Sequence, residues 1–285
     1  MRITEVSGRR MMRDFIHLPE RLFHDSPCYV PPLWIDESKA YTSAGNPILK
    51  NSDFSLFLLY NDQGKPTGRV IAYIDHKYNG YYHTNTGFFG SFECTYDTKC
   101  AALLIDTAEK WLESRGMDTI LGPINPAAEN WGLVTKGSDS PPVYMSPWNP
   151  PYYNAFFTNA GYVKAKDLLV YEADIGKGYR LPGRYTEFRK KYMQRYPGIT
   201  LRKLNMKDLH EDARAIWQIS NIALADNWGY VPLDLPVMED MLQKLKLIVD
   251  PDAVWMAESN GEPVGFRLGF PDINNGIKAI NGRLL

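Results

Sequence analysis

Two similar turns, 197 residues apart, constrain the fold of this chain more than any other feature. Residues 64–68 and 261–265 both have the pattern Gly-x-Pro-x-Gly, and each turn lies between two apolar runs. Glycine and asparagine accept the positive φ that a tight turn requires, so each region predicts a β-hairpin. The flanking runs are 55–60 and 69–74 in the first hairpin, and 253–257 and 266–270 in the second.

A second landmark precedes each hairpin. Tyr-Val-Pro occurs at residues 29–31 and again at 230–232, an offset of 201 residues. Two landmarks in the same order, at nearly the same offset, indicate an internal duplication. We therefore expect one complete domain at 1–175, a linker at 176–197, and a partial second copy at 198–285. Because the second copy ends just after its hairpin, we expect it to be truncated.

The hydrophobic pattern predicts an α/β (α+β) fold. The clearest helix is 99–115, whose apolar residues recur at helical spacing and which is followed by Gly116. A loop rich in Pro, Asn and Gly is expected at 123–150. The other elements predicted in the first copy are strands at 3–6, 86–95, 119–122 and 166–173 and helices at 11–24 and 152–160. In the second copy they are a strand at 200–204 and helices at 208–224 and 236–248.

Composition excludes several classes of function. The net charge of -1 gives no reason to expect a nucleic acid or a membrane as partner. The three cysteines form no metal-ligand spacing and the histidines are scattered, so no metal site is predicted. Sparse cysteines and the lack of an apolar leader or spanning segment indicate a cytoplasmic protein. The sequence does not indicate an oligomeric state.

Residues 149–162, Asn-Pro-Pro-Tyr-Tyr-Asn-Ala-Phe-Phe-Thr-Asn-Ala-Gly-Tyr, resemble the short helix of the GNAT superfamily of acyl-CoA N-acyltransferases. Residues 86–116 resemble its cofactor-binding strand and helix. The chain also resembles uncharacterised bacterial GNAT-like proteins with tandem copies. The resemblance implies a mixed sheet flanked by helices, and acyl transfer from acetyl-CoA or another acyl-CoA to a small-molecule amine. A related aminoacyl or long-chain acyl transferase is also open.

Two departures from the superfamily favour an alternative, a non-catalytic GNAT-fold protein that binds a ligand or a partner. The superfamily holds the coenzyme A pyrophosphate on a Gly-rich turn, but residues 96–100 contain no glycine. Phe157 occupies the position of the tyrosine that protonates the departing thiolate, and a phenyl ring has no proton to give.

The resemblance also implies candidate catalytic residues. Glu93 would accept the proton of the amine, and Tyr152 or Tyr153 would protonate the thiolate. The alternatives are a solvent-facing Glu93 paired with a lysine, and tyrosines that serve packing alone.

Binding residues follow from the same resemblance. The strand at Phe92 and Cys94 would hold the donor's pantetheine arm, with Thr98 and Lys99 near its phosphates. The long loop begins near Asn125 and ends near Asn149. Asn125 is a candidate substrate ligand and Asn149 a candidate donor ligand, although ordinary turn chemistry explains both equally well. Cys94 itself is expected to be an inert, buried thiol.

Overall fold

The computed structural model describes residues 1–127, 131–174, 176, 178, 180–207, 209–246 and 248–284. Several positions named in the predictions lie outside these residues. They are 128–130 of the expected loop, 175 of the first domain, 177 and 179 of the linker, 208 and 247 of two predicted helices, and 285 of the second copy. The chain forms two compact units. The first is Met1–Ala165 with the C-terminal residues from Asp272, and the second is Lys166–Pro271.

A five-stranded mixed sheet forms the centre of the first unit, in the order β1-β2-β3-β4-β5. The first three pairings are antiparallel, and β4 pairs with β5 in parallel. The predicted mixed sheet is therefore confirmed. The strands are β1 (Arg2–Glu5), β2 (Ser52–Tyr60), β3 (Pro66–Asp75), β4 (Thr86–Cys94) and β5 (Thr119–Leu121).

The turn between β2 and β3 is held by Asn61, whose side-chain oxygen accepts hydrogen bonds from the amides of Gln63 and Lys65. Gly64 has φ +73°, a conformation that a side chain would strain. The first predicted hairpin is therefore confirmed, and its two strands form the middle of the sheet.

Helices cover both faces of this sheet. The helices are α1 (Gly8–Ile16), α2 (Leu18–Phe23), α3 (Trp34–Ala40), α4 (His76–Tyr82), α5 (Thr98–Glu113), α6 (Tyr153–Asn159) and α10 (Asn274–Ala279). Alternate residues of β3 point to opposite faces, as the pleat requires. Val70 packs with α5 and α6 in one core, and Ile71 packs with α1 and α3 in the other.

The predicted helix at 11–24 is two helices in the structure. The first ends at Ile16 and the second begins at Leu18, with Pro19 in its first turn. Proline has no N–H to donate to the preceding turn, so a continuous helix is interrupted there.

The second unit has a three-stranded antiparallel sheet in the order β6-β7-β8, and Ile216, Leu242 and Met256 are among its core residues. Its elements are β6 (Ile199–Lys203), β7 (Trp255–Ser259), β8 (Glu262–Arg267), α7 (Gly183–Arg195), α8 (His210–Ala223) and α9 (Leu235–Leu245). One strand, then helices, then a hairpin is also the order at the start of the first unit. The similarity is what a duplication would give, and a common origin of the two units stays a prediction.

The predicted strand at 166–173 is wrong. These residues form neither helix nor strand, and Leu169 and Val170 are largely exposed. An apolar run becomes a strand only where a neighbouring backbone provides hydrogen-bond partners.

No helix of the described residues has the length and apolarity needed to cross a bilayer.

Candidate active site

β4 and β5 pair only at their beginnings. The paired residues are Thr86 with Thr119, Gly87 with Ile120 and Phe88 with Leu121. β5 ends there, whereas β4 continues for six more residues to Cys94. The second half of β4 therefore has one edge on β3 and another edge that no strand of the described residues covers.

A β-bulge lies where the two strands part. Ser91 has φ 43°, and the register between β3 and β4 shifts in this region. As a result, Phe89 and Phe92 belong to the same core although they are three residues apart. Bulges re-aim backbone groups next to functional sites in many proteins.

The side chains of Asn125 and Tyr153 bond to two amides on the uncovered edge of β4. The Ser91 amide donates to Asn125 Oδ1 at 2.6 Å. The Cys94 amide donates to the Tyr153 hydroxyl at 2.7 Å, and that hydroxyl donates to the Cys94 carbonyl at 3.2 Å. Backbone groups that would otherwise bond to a strand or a ligand therefore bond to Asn125 and Tyr153.

Gly90 allows the segment after β5 to approach the bulge. A Cβ at this position would lie 2.3 Å from the Ile124 carbonyl oxygen and 2.8 Å from Asn125 Oδ1. The Ile124 amide donates to the Phe89 carbonyl at 2.7 Å. These contacts fix Asn125 opposite Ser91.

Helix α6 places an aromatic wall beside the edge of β4. Phe157 is buried and stacks on Phe89 with ring centroids 5.4 Å apart, so it serves the core. Tyr153 is also buried, and burial raises the pKa of its phenol well above the usual value. Tyr152 is only half-buried, its ring lies 4.7 Å from that of Tyr96, and burial raises its pKa to about 12. A phenol with this pKa is protonated at neutral pH.

A buried cation lies on the other side of β4. Arg69, on β3, is 4% exposed, and its Nε is 2.5 Å from Glu93 Oε2. Its Nη1 donates to the Phe15 carbonyl at 2.7 Å, and its Nη2 lies 3.8 Å from Glu37 Oε1. Burial alone would lower the pKa of Arg69, but Glu93, Tyr41 and Glu37 together outweigh burial and the pKa is raised. Two carboxylates therefore share one guanidinium.

Tyr41 connects this charged cluster to the bulge. Its hydroxyl donates to Glu37 Oε1 at 2.7 Å and lies 2.9 Å from Ser91 Oγ. Burial raises the pKa of Glu37, with Arg69 opposing that effect. The sequence analysis missed Arg69, Glu37 and Tyr41. A lone cation within the apolar run 69–74 was the available signal for Arg69.

Tyr29 contributes a buried polar group without a partner. Its hydroxyl makes no hydrogen bond to any described residue, although its side chain is more than nine-tenths buried. Burial raises the pKa of Tyr29, and the charges of Arg69 and Glu93 also act on it. A buried hydroxyl usually has a partner, so this one indicates a place where a ligand's polar group fits.

The N-terminus of α5 is already capped. The Asp97 carboxylate accepts from the amides of Lys99 at 2.8 Å and Cys100 at 3.3 Å, and these bonds lower its pKa. The side chains of Thr98 and Lys99 are exposed. A phosphate at this helix end would meet the negative charge of Asp97.

The remaining predicted residues have structural contacts. Asn149 is buried, accepts from the Val134 amide at 2.7 Å and donates to the Pro150 carbonyl at 3.0 Å. Cys94 is buried and its thiol pKa is raised by burial. Phe92 packs edge-on against Tyr153. The structure thus brings Glu93, Asn125, Tyr152 and Tyr153 around one stretch of β4, while Asn149 bonds to its own loop.

Among the residues that the structure describes, no group of three or more His, Cys, Asp or Glu side chains converges in a way that could hold a metal ion.

Comparison with known proteins gives two relatives of similar identity. The chain is 32% identical over 278 residues to Protein YghO of Escherichia coli (strain K12), covering 96% of this chain and 69% of that protein. It is 31% identical over 278 residues to the bacterial ceramide synthase of Caulobacter vibrioides, covering 96% of this chain and 71% of that protein. No family model matches the chain.

Among solved structures, the fold is similar to the GCN5-related glucosamine N-acetyltransferase region of a fungal multi-domain β-N-acetylglucosaminidase. The TM-score is 0.52 at 14% identity, over 93% of this chain and 27% of that chain. At this identity the similarity concerns the fold alone.

Proposed function

Since the chain belongs to the GNAT superfamily, in the family of YghO and the bacterial ceramide synthase, we propose that it is a long-chain N-acyltransferase. It would transfer a fatty-acyl group from a coenzyme A thioester to the primary amine of a long-chain amino alcohol. A ceramide is the amide of such an amine, and the name of the second relative supports this choice of acceptor.

The observation that carries the proposal is the parting of β4 and β5 after Phe88 and Leu121. A pantetheine arm is thin and carries amides, so it can replace a strand along a backbone edge. The Ser91 and Cys94 amides, now bonded to Asn125 and Tyr153, would be donors to it. The unpartnered Tyr29 hydroxyl adds a polar contact within the same buried region.

The site fits the thioester arm of coenzyme A better than it fits the pyrophosphate. The edge of β4 suits the thioester arm, because a donor could replace Asn125 and Tyr153 as the partners of its two amides. The N-terminus of α5 suits the pyrophosphate poorly, because Asp97 occupies it. The phosphates would therefore rely on Lys99, whose exposed side chain can reach outward.

The charged cluster provides for an amine acceptor. Arg69 holds Glu93 Oε2, and no described residue donates to Glu93 Oε1. The Glu93 carboxylate, only one of whose oxygens is bonded to Arg69, provides a negative group that favours an ammonium. The ammonium first loses one proton to water to become the nucleophilic amine. Glu93 Oε1 would then take the second proton, which the nitrogen loses as it forms the amide bond, directly or through water.

A proton donor is needed for the sulfur once the carbon–sulfur bond breaks. The thioester supplies an activated acyl carbon. The Tyr152 hydroxyl lies 3.5 Å from the Cys94 carbonyl, on the uncovered edge of β4, and its pKa of about 12 keeps it protonated. Tyr152 is therefore the preferred proton donor, since the Tyr153 hydroxyl is committed to Cys94.

A turnover assay tests the proposal. The full chain is incubated with palmitoyl-CoA and sphinganine, with thiol release measured optically and the amide by mass spectrometry. We expect equal amounts of thiol and amide, and less product when acetyl-CoA replaces palmitoyl-CoA. Absence of both products with either donor would contradict the proposal.

A second function is supported by the same edge. Asn125, Tyr153 and Asp97 all occupy positions that a donor would need, as expected for a non-catalytic protein that binds a ligand or a partner. Calorimetric titration with palmitoyl-CoA separates the two. Heat of binding without turnover favours the non-catalytic function, and turnover excludes it.

A further inference from the structure

Helix α7 is exposed on all sides in the structure, and none of its residues is buried. Its sequence, Gly-Arg-Tyr-Thr-Glu-Phe-Arg-Lys-Lys-Tyr-Met-Gln-Arg, is nonetheless rich in aromatic residues. Phe188 is 65% exposed, and Tyr185 and Tyr192 are 48% and 41% exposed. Large aromatic side chains on an exposed helix usually mark an interaction surface.

The aromatic residues form one continuous stripe. At 3.6 residues per turn, Tyr185, Phe188, Tyr192 and Tyr196 fall within about 80° of arc on the helix. The rings of Phe188 and Tyr192 have centroids 5.7 Å apart, and those of Tyr192 and Tyr196 are 4.7 Å apart. We call these four residues the aromatic stripe. Leu181, just before the helix, is also exposed.

Four of the five cations of the helix lie beside this stripe. Arg184, Lys191 and Arg195 project on one side of it and Arg189 on the other, whereas Lys190 lies on the opposite face. None of the five makes an ion pair with any residue that the structure describes. The carboxylate of this helix, Glu187, lies opposite the stripe. Five cations and one carboxylate give α7 a strong local positive charge.

We propose that α7 is an in-plane membrane-binding helix that lays its aromatic stripe on an anionic lipid surface. An interfacial helix has an apolar face with aromatic residues, and cations at its sides that meet lipid phosphates. Aromatic rings with polar tips, such as those of tyrosine, favour the headgroup region. The charges are complementary to an anionic leaflet, and Glu187 points away from it.

The local charge explains why the sequence analysis expected no membrane partner. The net charge of -1 averages α7 with an acidic remainder of the chain, and no helix among the described residues is long and apolar enough to span a bilayer. An interfacial helix requires neither net positive charge nor spanning length. The proposal goes beyond the proposed function and does not depend on turnover.

Vesicle sedimentation of the full chain tests the proposal. The vesicles are pure phosphatidylcholine, or phosphatidylcholine with a minor fraction of phosphatidylglycerol. We expect binding to the anionic vesicles and weaker binding as salt is raised. F188E/Y192E is expected to lower binding at least tenfold. R184Q/R189Q/K191Q, which removes three of the four cations beside the stripe, is expected to lower binding to anionic vesicles by about a hundredfold at low salt and to weaken the preference for anionic lipid.

Matched controls lie on the opposite face of the same helix. Q194A should bind as the wild type does, and E187Q should bind equally or more tightly. Because α7 buries no side chain, all variants should unfold at the wild-type temperature. Absence of sedimentation with anionic vesicles would overturn the proposal, as would wild-type binding by F188E/Y192E. Retention of the chain by tRNA but not by vesicles would instead assign the surface to nucleic acid and overturn it equally.

Discussion

Arg69 and Glu93 face each other across β3 and β4, with the guanidinium Nε 2.5 Å from a carboxylate oxygen. The pair lies immediately beyond the bulge at Ser91, where β4 loses β5 as a neighbour. One side of β4 therefore carries a charged cluster, and its far edge carries two amides bonded to side chains. This arrangement places a potential proton acceptor and a potential donor-binding edge on the same short segment.

Glu93→Gln tests the proton acceptor. The amide keeps the size of the side chain but cannot take a proton, so kcat should fall by about 10²-fold or more while donor affinity stays unchanged. Glu113→Gln, at the exposed end of α5, is the matched control and should not alter either quantity. A kcat within twofold of the wild type would exclude Glu93 from this role.

Tyr29→Phe tests the hydroxyl that lacks a partner. Its removal should leave the free energy of unfolding unchanged or raise it by up to about 1 kcal/mol, because no described hydrogen bond is lost. Turnover should fall if the hydroxyl contacts a substrate.

Tyr41→Phe is the comparison for Tyr29→Phe, since its hydroxyl contacts both Glu37 and Ser91. The free energy of unfolding of Tyr41→Phe, measured with urea, should be lower than that of the wild type by about 1–3 kcal/mol. An equal loss of stability in both variants, with full turnover in Tyr29→Phe, would show that Tyr29 has only a structural role.

Asp97→Asn tests where the donor's phosphates lie. Asparagine caps a helix as well as aspartate does, so stability should change little. Loss of the negative charge should tighten coenzyme A binding by about fivefold in calorimetry. This change corresponds to removing about 1 kcal/mol of repulsion between two charges near the surface. Asp106→Asn, on the outward face of α5, should not change the affinity. Equal affinity in Asp97→Asn and wild type would place the phosphates elsewhere.

Acidification should loosen the C-terminal segment. Glu20 accepts from Arg283 at 2.8 Å and from Asn281 at 3.0 Å; burial raises its pKa, but these bonds and that with His17 lower it overall. A lowered pKa means that this stabilisation is present above about pH 4.5 and is lost as the pH falls further.

Hydrogen exchange of residues 274–283 measures this effect. After correction for intrinsic rates, protection should decrease between pH 6 and pH 3.5. At pH 6, Glu20→Gln should show lower protection of this segment than the wild type does. Its protection should change little between pH 6 and pH 3.5. Equal wild-type protection at both pH values would mean that Glu20 does not hold the segment.

The elements that the sequence predicted well have strong local signals. The hairpin at Asn61 and Gly64 and the helix capped by Asp97 are specified by turn and capping residues within a few positions. The strand at 166–173 was predicted from an apolar run alone, and no local signal reports whether a neighbouring strand is available.

The candidate site divides in the same way. Glu93, Asn125 and Tyr152 were found through motif resemblance, and all three lie around β4. Arg69 and Glu37 come together only through tertiary packing of α3 on β3, 32 residues apart in the chain. Their juxtaposition depends on strand register and helix placement, which the spacing of residues in the sequence does not encode.

Selective labelling offers the most direct test of donor entry along β4. A [¹⁵N]cysteine-labelled chain gives three amide signals, from Cys28, Cys94 and Cys100, and Cys94→Ser assigns the one from the edge. On titration with a non-reactive thioether analogue of palmitoyl-CoA, the Cys94 signal should shift most, because its amide exchanges the Tyr153 hydroxyl for the ligand. A Cys94 signal that stays unchanged at saturating ligand would contradict donor binding between the parted strands.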